Sequence, residues 1–246
     1  MASLDSAQIT AYIAQHRYTL TDYCPDFSLD KRAVIIETRP LATLGWTIEN
    51  LAYHTGWPIR VYCARANEEV IDNLGFPVEK ILINDIHLSG YTHALVSDGF
   101  WSDLPETVLI FQSDAFMLRP GIEEFTAYDY VGAPWNWAYE SADMSRFRVG
   151  GNGGFSLRKT SKMLEVINKL PFGEIYNDPA FKLEPGLGPP EDMYFAFGIS
   201  ELGGHTPEPD EQSRFCVETI FHPSPLAIHG IDRHFNEDDI GRILFP

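Results

Sequence analysis

The chain predicts an α/β fold, a single domain with a mainly parallel central sheet flanked by helices. Three observations point there. Short apolar runs of strand length alternate with helix-length segments through the first half of the chain. The run Val108-Leu-Ile-Phe111 is apolar at every position, which suits a strand covered on both faces. No Ser/Gly-rich or charged linker divides the 246 residues, 44% of them hydrophobic, so the chain can bury one substantial core.

The elements follow in order. Residues 1–30, with a helical pattern near Ala7 to His16, read as an N-terminal helical extension ahead of a domain over 31–246. Arg32 to Arg39 predicts the first strand, and Leu41 to His54 its helix, opened by Pro40. Ile59 to Cys63 predicts a second strand with a helix over Asn67 to Leu74, and Lys80 to Asn84 a third with a helix near Thr92 to Ser97. Val108 to Phe111 is the fourth strand, and a helical pattern runs from Lys159 to Leu170. Ala138 to Arg148 and the Pro- and Gly-rich stretch Pro171 to Pro190 read as loops, either lids over a site or plain surface connections. No internal repeat or low-complexity tract is present.

Three motifs carry chemistry. The fourth strand stops on Gln112-Ser113-Asp114. Open α/β sheets bind ligands at the carboxyl ends of their strands, so Asp114 stands where a carboxylate holds a divalent cation, or else caps a turn. Next, Val149-Gly-Gly-Asn-Gly-Gly-Phe-Ser-Leu-Arg158 places four glycines in five positions, the mark of tight turns or of backbone lying close against a ligand. It lacks the Gly-Lys-Ser/Thr ending of a phosphate loop and the spacing of a dinucleotide fingerprint. Last, Pro189-Pro190-Glu191-Asp192 opens an apolar helical stretch, where acids also serve as helix N-terminal residues.

In this order, strand-Asp, Gly-Gly-x-Gly-Gly-Phe-Ser-Leu-Arg and Glu-Asp, the motifs resemble nucleotide-sugar glycosyltransferases of the GT-A, Rossmann-like type. The resemblance is strongest to a bacterial and fungal group first catalogued as a domain of unknown function and later assigned as glycosyltransferase-like. A more distant similarity, through Gly-Gly-Phe-Ser-Leu-Arg and Glu-Asp, is to the β-1,4-galactosyltransferases. The glycosyltransferase resemblance as a whole spans about Arg32 to about Phe235. The family at large often has Asp-x-Asp at the metal strand, and Gln112 replaces the first acid here, leaving Asp114 as the principal acidic ligand.

The resemblance implies sugar transfer from a nucleoside-diphosphate sugar to a hydroxyl acceptor such as a glycan, metal-assisted and inverting, with polysaccharide biosynthesis as the setting. It implies Asp192 as the base that deprotonates the acceptor and Glu191 as a residue holding the acceptor or the loop. Thr38, Arg39, Gln112, Ser113, Gly151, Asn152, Gly153 and Gly154 would contact the donor, although Thr38-Arg39-Pro40 also fits a plain strand-to-helix turn. Trp135 and Trp137 offer a sugar-stacking surface for the acceptor, or core packing. Ala227-Ile228-His229-Gly230 matches best the C-terminal histidine ligand of metal-dependent members, so Asp114 and His229 would hold the cation. An imidazole donor favours Mn²⁺ over Mg²⁺. Two alternatives remain: a sugar nucleotidyltransferase, which usually has a Gly-rich basic loop after the first strand that Glu37-Thr-Arg-Pro-Leu-Ala lacks, and a non-catalytic binding module for a nucleotide sugar or glycan.

Composition sets further bounds. A net charge of −17 argues against nucleic acid and against an anionic membrane surface as partners. A nucleotide sugar is also an anion, so binding one demands a cation or local basic groups. No apolar run approaches the ~20 residues that span a bilayer, and no signal-peptide pattern opens the chain. Cys24, Cys63 and Cys216 are odd in number, scattered and without zinc-ligand spacing, which suits a reducing cytoplasm.

Overall fold

Apolar runs become the inner strands of a six-stranded sheet in the computed structural model, which describes residues 6–175 and 189–246. Strands β1 (Lys31–Glu37), β2 (Ile59–Cys63), β3 (Glu79–Leu82) and β4 (Thr107–Phe111) lie parallel in the order β3-β2-β1-β4. Every residue of β4 is buried, as its unbroken apolar run requires. Helices α1 (Ala7–Gln15), α2 (Leu44–Thr55), α3 (Glu68–Asp72), α4 (Leu88–Leu95) and α5 (Asp98–Ser102) precede or connect these strands. Gly56, in the left-handed conformation, ends α2 with its amide on Ala52 O, and Leu44, Ile48, Leu51 and Ala52 face the core.

The sheet is mixed, which corrects the mainly parallel expectation. Beyond β4 come β7 (Phe155–Lys159) and then β6 (Tyr130–Gly132), each joined to its neighbour by antiparallel pairing. The cause lies in the connection. Only β5 (Ala115–Met117), β6 and short 3₁₀ turns separate β4 from β7, so no crossover helix returns the chain to the starting edge of β4. The glycine segment delivers β7 at the carboxyl edge, where Phe155 faces Phe111, and the strand runs back.

Helix α6 (Thr160–Lys169) follows β7, and α7 (Phe172–Ile175), α8 (Glu191–Leu202) and α9 (Pro209–Phe215) come after it. A second sheet joins β5 to β9 (Ala227–His229) and β8 (Cys216–Val217). The last helix, α10 (Glu237–Leu244), packs against α1. The N-terminal helix is tied into this layer: Ile9 and Tyr12 are buried with Trp46, Phe116 and Ile240, and Ser6 Oγ caps α1 while donating to Glu237 at 3.0 Å. The stretch Ala138 to Arg148 is a pair of 3₁₀ turns, and residues 176–188 of the second expected loop lie outside the described residues. No helix among the described residues is long and apolar enough to cross a membrane.

Candidate active site

The carboxyl ends of β1 to β4 share one edge, and the chain places its polar motifs there. After Phe111 it turns sharply, Ala115 N donating to Gln112 O at 3.1 Å, and Asp114 is left buried at the turn. Asp114 Oδ1 lies 3.4 Å from His229 Nε2, and Oδ2 accepts a 2.6 Å bond from Arg233 Nη2. Burial alone would raise this carboxyl; His229 and Arg233 outweigh it and hold it well below the ordinary carboxylate range. His229 is itself buried, yet Asp114 and then Glu218 keep its pKa above the usual imidazole value.

Gln112 Oε1 stands 3.2 Å from the same Nε2. A carboxylate oxygen, an amide oxygen and an imidazole nitrogen therefore face one another. Donors about 2.1 Å from one ion and at right angles lie about 3.0 Å apart, so this spacing fits a shared divalent cation. Behind the ring, Glu218 Oε1 lies 3.3 Å from His229 Nδ1, the carboxylate-behind-histidine arrangement of metal ligands. That contact is close enough for an ion pair but is not aligned as a hydrogen bond, since Nδ1 has no hydrogen-bond partner. Among the described residues no group of three or more His, Cys, Asp or Glu side chains is placed to hold a metal ion.

The glycine segment fits around these groups. A side chain at Gly154 would run into the His229 ring, and one at Gly153 into Glu191 and the Arg158 guanidinium. Gly151 (φ +99°) bends the loop against the Gly132 and Ala133 carbonyls. The close approach inferred from the glycines is therefore first an approach of backbone to the protein's own side chains. Asn152 is engaged at both ends, Nδ2 donating to Glu218 Oε1 at 2.9 Å and Oδ1 accepting from Gly154 N at 2.7 Å.

The two acids that open α8 have different surroundings. Glu191 is buried and receives two bonds from the fully buried Arg158, 2.6 Å from Nη1 and 3.1 Å from Nη2. The guanidinium also lies 4.6 Å from the Tyr130 ring centre. Glu191 is thus spent on holding β7 to α8. Asp192 Oδ2 accepts from Gly153 N at 3.0 Å and Oδ1 from Met193 N at 2.8 Å, while part of its surface still meets solvent. Burial, then the neighbouring Glu191 charge, push its pKa up to about 7.

At the end of β1, Glu37 is a hub: Arg39 Nη2 donates to its Oε2 at 2.6 Å and Ser113 Oγ to the same oxygen at 2.8 Å. Arg39 also bonds Ser113 Oγ at 3.3 Å and feels the Asp114 charge. Thr38 Oγ1 accepts from Ile86 N at 3.4 Å, fixing the segment after β3. That segment walls a cavity of about 860 Å³ lined by Ile36, Tyr62, Arg65, Asn84, Asp85 and Phe100, among others, at the ends of β1, β2 and β3. Trp135 is buried with Phe147 and Phe197, and Trp137 stacks on it at 5.1 Å; only Trp137 keeps a partly open face.

Three residues entered the site without a sequence signal. Arg233 and Glu218 belong to no motif. Tyr91 on α4 has a buried hydroxyl with no hydrogen-bond partner, beside Glu191 and Gln112.

A family model described as a protein of unknown function (DUF5672) matches residues 78–229, more than half of the chain, and the chain belongs to that family. The match takes in Asp114, the glycine segment, Asp192 and His229, and leaves out Thr38, Arg39 and Arg233. No curated protein matches the chain.

Proposed function

We propose that this DUF5672 member is a GT-A type glycosyltransferase that moves a sugar from a nucleoside-diphosphate donor to a hydroxyl of a glycan acceptor. One observation carries the reading: two aspartates at one sheet edge are driven to opposite protonation regimes. Asp114 is held ionised, with the fixed guanidinium of Arg233 on it at 2.6 Å even when His229 is neutral, while Asp192 is raised to about 7. Aspartates set apart in this way take separate roles, one binding charge and one moving a proton.

Asp114 and His229 would hold a divalent cation with Gln112 as a third donor, and the imidazole favours Mn²⁺ over Mg²⁺. Such an ion supplies Lewis acidity, offsetting the charge that gathers on the departing diphosphate. Arg39 and Arg233 bring fixed positive charge to the same edge of an otherwise acidic protein. The cavity at the ends of β1 to β3 would take the nucleoside, with Thr38 holding its wall. Asp192 accepts the acceptor hydroxyl's proton as that oxygen attacks the anomeric carbon from the face opposite the diphosphate. Such a displacement inverts the anomeric centre. Trp137 rather than Trp135 would meet the acceptor, because Trp135 is taken up in packing. Cys63 and Cys216 are buried free thiols and Cys24 an exposed one, in keeping with a reducing cytoplasm.

The test is a panel of nucleotide sugars, each with and without Mn²⁺, scored for release of nucleoside diphosphate. Mn²⁺-dependent release from one donor, with inverted product by NMR, is expected. Release of pyrophosphate instead, or no turnover of any donor, would overturn the proposal.

A further inference from the structure

Glu218 follows β8 and is 5% exposed, a carboxylate buried in a chain whose net charge is already −17. Burying such a charge is costly unless it is paired and hydrogen-bonded. Its pairing is specific. Oε1 takes the Asn152 amide at 2.9 Å and stands 3.3 Å from His229 Nδ1. Both Glu218 Oε2 and His229 Nδ1 are buried without a hydrogen-bond partner. The oxygen at that distance, Oε1, is already held by Asn152, so the Nδ1 edge of the ring meets a carboxylate fixed in place at ion-pair distance. With Nδ1–H turned to Glu218, Nε2 keeps its lone pair for whatever lies between Asp114 and Gln112.

We propose that Glu218 is a positioning residue of the candidate cation site, fixing the ring of His229 with Nε2 toward Asp114 and Gln112, and that Asn152 fixes Glu218 in turn. The glycine loop thereby couples to the cation: Asn152 steadies Glu218 behind the ring, and Gly154 leaves the space the ring fills. The inference rests on the reading of Asp114 and His229 as cation ligands.

The test titrates Mn²⁺ alone into the full chain, following affinity by calorimetry and imidazole coordination through its ¹⁴N coupling in pulsed electron paramagnetic resonance. Carboxylates behind ligating histidines are typically worth ~10- to 100-fold in metal affinity, so Glu218→Gln should weaken Mn²⁺ binding about 10-fold and Glu218→Ala toward the upper figure. Asn152→Ala should weaken it about as much as Glu218→Gln. The ¹⁴N coupling should shift or broaden in all three, an effect a merely structural contact would not cause. Glu218→Gln is nearly isosteric, so it decides the matter even if Glu218→Ala does not fold. Affinity within twofold of wild type with an unchanged ¹⁴N signal would overturn the role of Glu218 alone. Wild-type protein that binds no Mn²⁺ would overturn the cation reading and this inference with it.

Discussion

The backbone amide of Gly153 donates to Asp192 Oδ2 at 3.0 Å, and the next residue, Gly154, lies against the ring of His229. One peptide unit therefore separates the proposed base from the proposed cation ligand. The relative placement of these two side chains is set by the loop backbone.

Asp192→Asn keeps the shape and removes the base, so turnover should fall at least ~10²-fold while donor affinity is unchanged. Wild-type turnover should rise with pH through about 7, the pKa of Asp192, and the variant should lack that limb. Stability should move the other way. The folded pKa lies above the unfolded value of about 3.9, so the folded state binds more protons between the two and stability falls as pH rises across that window. The variant should melt higher than wild type at pH 8 and no differently below pH ~4, as read by thermal scans. A lower melting temperature at pH 8 would refute the assignment.

Arg233→Gln removes the guanidinium from Asp114. A bond to a charged group contributes about 1.5–3 kcal/mol, so if the guanidinium turns to the diphosphate as the proposed charge role requires, affinity for nucleoside diphosphate should drop by ~10-fold or more. Mn²⁺ affinity in the absence of nucleotide should hold or improve, because Asp114 Oδ2 is released. Calorimetry with each ligand separates the two effects, and a parallel loss of both would show Arg233 to be structural.

Gly154→Ala and Gly153→Ala insert a methyl where the His229 ring and the Glu191–Arg158 pair already sit. Overpacking of this kind costs about 1–3 kcal/mol. Gly99→Ala, in α5 with open space around the position, should instead be neutral or stabilise by about 0.5–1 kcal/mol. Urea denaturation of the three variants gives the ranking, and equal stabilities would contradict it.

Arg158→Met leaves the buried Glu191 unpaired and should cost about 3–5 kcal/mol. Pairing it with Glu191→Leu should recover much of that loss, because no charge is then left in the interior. A double variant no more stable than Arg158→Met would show that the pair does more than neutralise itself.

Much of this site was legible in the sequence. An apolar run that stops on Asp114 marks the carboxyl end of a buried strand, and the glycine segment and Glu191-Asp192 do meet at the same edge. Strand direction was not legible, because apolar periodicity is the same for parallel and antiparallel strands; β7 is antiparallel for want of a crossover helix. The split between Glu191 and Asp192 depends on Arg158, which lies 33 residues earlier and reads simply as the end of a motif. Glu218 carries no local pattern at all, since its partners come from the glycine loop and from β9. Trp135 and Trp137 look alike in sequence and share the same aromatic cluster, and only the depth of burial separates them.

The pairing of Ala115 with His229 has a consequence for how the chain tolerates change. The distance from Asp114 to the imidazole is written in a ladder of main-chain bonds, so side-chain substitutions along β5 and β9 will alter it little. Length is another matter. One residue added or lost on the ladder just before His229 would turn its ring to the opposite face of the three-stranded sheet and leave the aspartate facing a neighbour's side chain. Apart from Glu218, His229 and the buried apolar positions Val217, Leu226, Ala227 and Ile228, the segment from Val217 to His229 should therefore accept altered composition readily, and altered length only where the extra residue can be looped out before β9 begins.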